Sequence, residues 1–423
     1  MPPFASPRLR GEEFRGSPMR ERLVVVGNGM ASLRFLERLS RHAPGRFDVT
    51  VVGAEPSPAY NRVLLSSLLA GEVGEAECRR RERPWYLRQG IRLITGAPAT
   101  ALDLAEREVA VGDLTTLPFD RLVLATGSTP IRLPKPGMDL PGVVTFRDLA
   151  DVAAIRETAG PGTRAVVIGG GLLGLEAAYG LACLGADVTL VHVMDRLMER
   201  QLDARGATLV KRAMEAKGVR VLLEADTAAV EGESAVRAVR LADGRVLEAD
   251  LVVVAVGVRP AVDLARSAGL DVQRGIVVDD ALKASAPGVH AVGECAEHRG
   301  TIYGLVEPAY EQAEVLARRL GGGDASYAGS LLATSLKVSG VPVFSAGEVA
   351  DDADAEPIVF SDPAAGAYRK LMVRDRRLVG ALLIGDVAEQ SWYVDLIRSG
   401  ERVESFRHAL MFGRAAEPAR KAA

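Results

Sequence analysis

The chain has 423 residues, 48% of them apolar, and a formal net charge of −3. That length suits two or three domains with cores of their own, and the near-neutral balance gives no electrostatic footprint for nucleic acid or an acidic membrane surface. No apolar run approaches the ~18–20 residues of a membrane span, and the three cysteines, Cys78, Cys183 and Cys295, contain no C-x-x-C pair, which excludes a visible disulfide framework, a cysteine zinc site or a four-cysteine iron–sulfur cluster and fits a reducing, cytoplasmic compartment.

Residues 1–20 are rich in Arg and Pro but lack an apolar segment. They read as a disordered tail, or as an over-long start with Met19 the natural first residue, and not as a secretory signal. RLVVVGNG (22–29) predicts a buried strand stopped by glycine, MASLRFLERLSRH (30–42) a helix, and FDVTVVGAE (47–55) a second strand. Such a strand–helix–strand unit has parallel strands. FDRLVLATGSTP (119–130) predicts a further strand closed by a turn cluster. GTRAVVIGGG (162–171), LLGLEAAYGLACLG (172–185) and ADVTLVHV (186–193) then repeat the unit. An amphipathic helix over 203–218 and a strand over 219–225 follow, and LEADLVVVAVGVRP (247–260) closes this second region as 119–130 closes the first. The repeat is a domain long, which indicates a duplicated fold and not a solenoid. GVHAVGECAEH (288–298) returns to strand and loop, and EPAYEQAEVLARRL (307–320) predicts a helix entered at Pro308, a favourable first-turn residue. GGGDAS (321–326) reads as a linker, and the alternating strands and helix beyond it as a separate α+β domain.

Both glycine loops carry the chemistry of an anion site. A strand that turns sharply into a helix leaves the first helical N–H groups without partners, at the positive end of the helix dipole. A pyrophosphate binds there if the backbone can approach it, which requires glycine. Gly169, Gly171 and Gly174 complete G-x-G-x-x-G, while Gly27 and Gly29 are followed by the small Ser32 in the third place. Each copy follows a strand, opens a helix and leads to another strand, the context this motif needs. The residue closing the second strand should meet an adenosine ribose. In the first unit that is Glu55, 26 residues after Gly29; the usual spacing is ~20, and the polar insert HAPGRFD accounts for the excess. In the second unit the matching position is His192, with Arg196 four residues on. A cation near a 2′-phosphate favours NADP and a neutral histidine tolerates NAD, so both nicotinamide nucleotides stay open. Two dinucleotides in one chain imply a resident redox cofactor and an exchangeable one, and FAD with NAD(P)H is the natural pair.

The order G-x-G, acidic ribose residue, LVLATGSTP, G-x-G-x-x-G, AVGVRP, VGEC resembles the two-dinucleotide flavoprotein reductases of the glutathione-reductase type over 22–320. AYNRVLLSS, HVMDRLMERQLD and GECAEHRGTIYGLVEP are similar to the FAD/NAD(P) portion of assimilatory NAD(P)H nitrite reductase large subunits and to nitrate reductase electron-transfer subunits. The C-terminal LKVSGVPVFSAG and LVGALLIGD resemble the small third domain of rubredoxin and nitrite reductases. The resemblance implies an α/β fold with two Rossmann-like dinucleotide-binding domains and a small C-terminal α+β domain. The FAD-binding domain would span 21–128 and 250–322, the NAD(P)-binding domain 129–249, and the third domain 326–423.

By that resemblance Gly27, Gly29 and Ser32 line the FAD pyrophosphate and Glu55 the ribose. Arg62 lies by the FAD phosphates or the isoalloxazine, and Ala99 meets adenine through its backbone. Ala125, Thr126, Gly127 and Arg132 run along the flavin, and Glu294 stands where many relatives have an Asp bonded to the ribityl chain. Gly169, Gly171, Gly174, Glu176, His192, Arg196 and Gly257 serve NAD(P), with Glu176 and Arg62 as candidate catalytic side chains. The helix entered at Pro308, if its N-terminus faces the flavin pyrimidine edge, offsets negative charge there by ~0.3–2 kcal/mol; Glu307 opposes this unless it hydrogen-bonds the neutral ring.

Disulfide reductases of this type need a cysteine pair just after the first unit, where this chain has Ser66 and Ser67. Cys78, in a charged run, is expected to be an exposed bystander and Cys183 a core residue; Cys295 stands beside Glu294 without a resolving partner. Covalent thiol chemistry is therefore not expected. No Lys stands near Ser66 or Ser67 to pair with Glu176. Histidines 42, 192, 290, 298 and 408 show no ligand spacing, and His298 is expected at the surface. Full-length nitrite reductases carry cysteine clusters for iron–sulfur and sirohaem groups, which these 423 residues lack. The expected function is transfer of hydride from NAD(P)H to FAD and of electrons onward to a separate iron–sulfur or haem protein in nitrate or nitrite assimilation. The alternatives are an NAD(P)H rubredoxin or ferredoxin reductase and a flavin-binding redox sensor or scaffold.

Overall fold

Runs of valine and leucine buried on both faces build two parallel sheets, as is usual for strands covered by helices above and below. The structure, a computed structural model, describes residues 20–414 apart from 114, 339 and 351–353; all of the expected N-terminal tail except Arg20 lies outside them. In the first sheet the spatial order is Val289–Ala291, Arg121–Leu124, Glu21–Val26, Phe47–Gly53 and Ile91–Thr95. The second has Arg220–Leu222, Asp187–Val191, Arg164–Ile168, Leu251–Val254 and Val143–Thr145. In each, the strand before the glycine loop is central, with the next strand of its unit on one side and a strand from much later in the chain on the other: Val26 is paired to Val52 and Leu124, and Ile168 to Val191 and Val254. This is the switch point at which open α/β sheets hold ligands.

The duplication extends further than the strand–helix–strand units. Each region adds a three-stranded antiparallel meander, Ala99–Asp103 with Glu108–Val111 and Thr115–Pro118 in the first, Thr227–Glu231 with Ala238–Leu241 and Val246–Glu248 in the second. The two regions are tied by a short antiparallel ribbon, Ser128–Pro130 against Val258–Pro260. Leu251–Val254 pairs within the second sheet, so the chain returns to the first region after this strand and not at 250.

The helix expected from Pro308 starts earlier, as Val306–Leu320, with Pro308 its third residue. A proline is tolerated there because first-turn N–H groups have no intrahelical acceptor. The expected linker 321–326 is anchored: Gly321, Gly322 and Gly323 donate back to the last carbonyls of this helix, and Arg319 Nη1 donates to Ala325 O at 2.7 Å. The C-terminal region is a five-stranded antiparallel sheet with helix Gln390–Ser399 on one face. Alternate residues serve opposite faces. Phe344 and Leu383 join Trp392, Tyr393 and Phe406 in the domain's own core, while Val343, Leu382 and Ile384 join the core of the second nucleotide region. The expected architecture of two dinucleotide-binding regions and a third α+β domain is thus the one observed.

Three side chains lie elsewhere than their neighbours in sequence suggest. Cys78 is fully buried against the cluster holding Tyr60, Leu65 and Leu68, because the single turn Glu75–Cys78 points its charges outward and its last residue in. Cys183 is exposed: helix Leu172–Cys183 buries Leu175, Ala177, Ala178 and Leu181, and its final residue falls on the open side. His298 is fully buried beside Tyr327 and bonded to Asp280 at 2.8 Å, since the strand Ala296–His298 runs inside the first region.

Candidate functional site

The two glycine loops are built alike. Gly27 has φ +107°, and a Cβ on it would lie 2.0 Å from the Ala125 carbonyl oxygen; Gly169 has φ +120° with the corresponding approach to Ala255 at 2.3 Å. Only glycine fits either place. A Cβ on Gly174 would lie 1.8 Å from the Gly169 carbonyl oxygen, so this residue sets how closely helix Leu172–Cys183 approaches its loop. Gly29 and Gly171, the N-caps of the two helices, face open space. Neither helix has a capping side chain or an acidic residue in its first turn, whereas Asp148 and Asp203 cap helices Leu149–Thr158 and Ala204–Ala216 with their carboxylates. Both loops therefore offer uncapped N–H groups over an open cradle, as an anion requires. Ser32, in the third position of the first loop, is fully buried with a hydroxyl that has no partner among the described residues.

The segments closing the loops also correspond. Ala125-Thr126-Gly127 and Ala255-Val256-Gly257 end with glycines at φ +70° and +114°. They bond across the ribbon: Ala261 N donates to Gly127 O at 2.9 Å, Ile131 N to Gly257 O at 3.0 Å, and Thr126 Oγ1 to Ala261 O at 2.6 Å. Ala99 begins the first meander close to Glu55, because Gly96 N donates to Glu55 O at 2.8 Å and Ala97 N to Gly53 O at 3.2 Å.

Along the first region the charged side chains form a continuous network. Tyr60 donates its hydroxyl to Glu55 at 2.7 Å, and Arg62 pairs with the same carboxylate. Arg62 Nη1 donates to the Arg147 carbonyl at 3.0 Å. Arg147 Nη2 pairs with Glu294 and donates to Ser128 Oγ at 2.7 Å, while the Ser128 hydroxyl donates to Glu294 at 2.7 Å. Burial, first of all, pushes the Tyr60 phenol well above its ordinary range. Arg147 and Ser128 were not singled out from the sequence, although FRDLAD carried a signal for the arginine. Asp148 caps the next helix, and Asp151 accepts from Arg147 N at 2.7 Å and from Thr145, so this polar turn fixes the direction of Arg147. Arg132 stands apart, 76% exposed and paired with Asp139. Glu307 is exposed in the first turn of its helix, which is held to the VGEC loop by Gly293 N donating to buried Gln312 at 2.7 Å.

In the second region His192 is turned inward. Its Nδ1 accepts from Gly170 N at 3.0 Å, which leaves the proton on Nε2 for Glu199 at 3.2 Å. The strand registers equate Val191 with Val52, so the counterpart of Glu55 within the chain is exposed Met194 and that of His192 is Gly53. The turn before Glu55 is two residues longer than the one before His192. Arg196 is paired with Asp195. Glu176, in the second turn of its helix, has no hydrogen-bond partner among the described residues, and burial pushes its carboxyl up to about 7.

A family model described as pyridine nucleotide-disulphide oxidoreductase matches residues 21–313. The chain belongs to this family. A second model, the rubredoxin NAD+ reductase C-terminal domain, matches 333–401. The chain is 44% identical over 380 residues to nitrite reductase [NAD(P)H] of Bacillus subtilis (strain 168), covering 90% of this chain and 47% of that protein. It is 42% identical to the assimilatory nitrate reductase electron transfer subunit of the same organism, covering 89% of this chain and 49% of that one. It thus spans about half the length of these curated relatives. Among solved structures, the covalent putidaredoxin reductase–putidaredoxin complex superposes with a TM-score of 0.85 at 26% identity, over 93% of this chain and 98% of that chain. The pyridine nucleotide-disulphide oxidoreductases use FAD with NAD(P)H, and the residues present fit both: two open glycine cradles, an acidic residue beside the first, and no Cβ in the way. All three cysteines are free, with buried Cys295 donating to the Leu124 and Val292 carbonyls.

Proposed function

We propose that the chain takes hydride from NAD(P)H in its second region and delivers electrons, through FAD held in its first, to a separate redox protein of nitrate or nitrite assimilation. The observation that carries this reading is the pair of uncapped glycine cradles at the switch points of two sheets joined by one ribbon. FAD, when bound, accepts a hydride and gives up its electrons singly. Gly27, Gly29 and the first-turn N–H groups of helix Met30–His42 hold its pyrophosphate. Glu55 accepts from its ribose, exchanging its bond to Arg62 for one to the ligand. Arg62 is then free for phosphate, and the arginine–glutamate pair at Arg147 and Glu294 orients the ribityl end. Ala125, Thr126 and Gly127 lie along the ring, with Ala99 at the adenine and Glu307 at the entrance of the nearby helix.

Gly169, Gly171 and Gly174 hold the nicotinamide dinucleotide, Gly257 lets its far end approach, Arg196 flanks the adenosine, and His192, turned inward, steadies the loop through Gly170 N. Glu176 is the titrating group of this half, protonated below about 7 and ionised above. Holding the two ligands in fixed relation and excluding water from between them is the protein's contribution to rate. No helix among the described residues is long and apolar enough to cross a membrane, and free cysteines suit a cytoplasmic setting. The acceptor class rests on the names of the similar proteins: a nitrite reductase and an assimilatory nitrate reductase electron transfer subunit favour a redox partner of nitrate or nitrite reduction. The rubredoxin reductase domain and the putidaredoxin complex support a second reading, a rubredoxin or ferredoxin reductase.

Anaerobic addition of NADH or NADPH to FAD-loaded protein tests the core of this reading. The oxidised flavin absorbance is expected to bleach and to stay bleached until an acceptor is added. Failure of both nucleotides to bleach it overturns the proposal. Turnover with rubredoxin exceeding that with a nitrate or nitrite reductase partner moves the acceptor to the second reading.

A further inference from the structure

The segment Leu197–Asp203 touches the second glycine loop at one end and the C-terminal sheet at the other. At the loop, Met198 N donates to Gly170 O at 3.0 Å, and Glu199 holds the histidine that accepts from Gly170 N. A Cβ on Gly170 would lie 2.6 Å from the His192 ring and 2.8 Å from Leu197, so the segment is packed directly under the loop. At the other end, the Asp203 carboxylate accepts from Gly206 N at 2.9 Å and from the Tyr368 hydroxyl at 2.5 Å, and forms an ion pair with Lys370 Nζ at 3.4 Å. Lys370 is 2% exposed. Gly206 is packed against the same sheet: a Cβ on it would lie 2.9 Å from the end of the Ile384 side chain. Leu197, Met198 and Leu202 share one core with Val343, Leu382 and Ile384.

A buried ammonium is retained only where its partner is fixed. Here one partner, Asp203, is at once the cap of a helix in the nucleotide region and the end of the segment that supports the nucleotide loop. We propose that the C-terminal domain positions the second glycine loop for its dinucleotide, with Lys370 and Tyr368 as positioning residues acting through Asp203 and the segment Leu197–Leu202. This rests on the reading that the loop holds NAD(P)H. The domain is then part of the hydride-donor site and not only a surface for an acceptor. The first glycine loop closes on Ala125, away from this contact, so FAD retention is expected to be independent of it.

The test uses full-length FAD-loaded protein and ADP-ribose as the calorimetric probe, comparing wild type with Lys370→Met and Tyr368→Phe. Lys370→Met is expected to weaken ADP-ribose binding by about tenfold, within the usual range of coupling between sites. KM for NADH rises with it, while kcat and FAD content stay unchanged. Tyr368→Phe, which removes one hydroxyl, gives a smaller loss of the same sign and keeps the test alive should Lys370→Met fail to fold. Amide exchange at 169–171 is expected to quicken in both variants. Unchanged ADP-ribose affinity and unchanged exchange in variants that fold overturn the proposal. Absence of ADP-ribose binding to the wild type overturns instead the assignment of the loop to a nicotinamide nucleotide.

Discussion

Arg147 is the side chain on which the first region's charge network turns, since it touches Glu294, Ser128 and, through its carbonyl, Arg62. Arg147→Ala is expected to purify with reduced FAD, at a cost of about 1.5–3 kcal/mol for a hydrogen bond to a charged group, while ADP-ribose titration of the FAD-reconstituted variant stays normal. Glu176 allows a pH prediction. Burial raises its carboxyl from 4.5 to about 7 in the fold, so the unfolded chain releases this proton first. Its contribution to stability is full below about pH 4.5 and is lost as pH rises through about 7. Urea unfolding across that window should show a decline that Glu176→Gln removes. The placing of the glycines in two strand-to-helix turns was legible from the sequence because it follows from local backbone conformation. Arg147 was not, because its meaning depends on Glu294, far away in the chain. Cys78 and Cys183 were misjudged for a related reason: a single helical turn decides which way the last residue of an element faces, whatever its neighbours are.

At the scale of elements, the two strand–loop–helix units work by close approach. Gly174→Ala would put a methyl group 1.8 Å from the Gly169 carbonyl oxygen, and overpacking of this kind costs about 1–3 kcal/mol. Helix Leu172–Cys183 must then move off its loop, so NADH affinity is expected to fall while FAD stays bound, as read by calorimetry and visible absorbance. The helix–strand alternation was legible because parallel strands buried on both faces read as unbroken apolar runs bounded by glycine. The two extra residues that start the helix at Val306 and the placement of Leu251–Val254 in the second sheet were less so. Element boundaries and sheet membership are settled by tertiary pairing, which periodicity does not encode.

Across the whole molecule, one buried histidine makes the first sheet sensitive to acid. His290 lies in the edge strand Val289–Ala291, and burial, with smaller effects from Arg121 and Lys283, lowers it from 6.5 to about 4. It is neutral in the fold, and the unfolded chain binds its proton first. Its contribution to stability is present above about pH 6.5 and is lost as pH falls through about 4, by up to about 3 kcal/mol. His290→Leu should flatten the acid side of the stability profile, measured by urea unfolding, and leave the neutral side unchanged. The overall plan of two duplicated regions and a third domain was legible from repeated motifs, but the way the third domain sits was not. The alternation that sends Leu382 one way and Leu383 the other reveals two covered faces only once the strands are in place. The ribbon of Ser128–Pro130 against Val258–Pro260 carries a mechanical consequence. The chain passes between the two nucleotide regions twice, side by side, and Leu65, Leu68 and Leu69 of the first region are buried in the core of the second, so the two are held in one fixed relation. Gly127 and Gly257, which close the two cradles, are both bonded across that crossing, so anything that loosened the ribbon would slacken both cradles together.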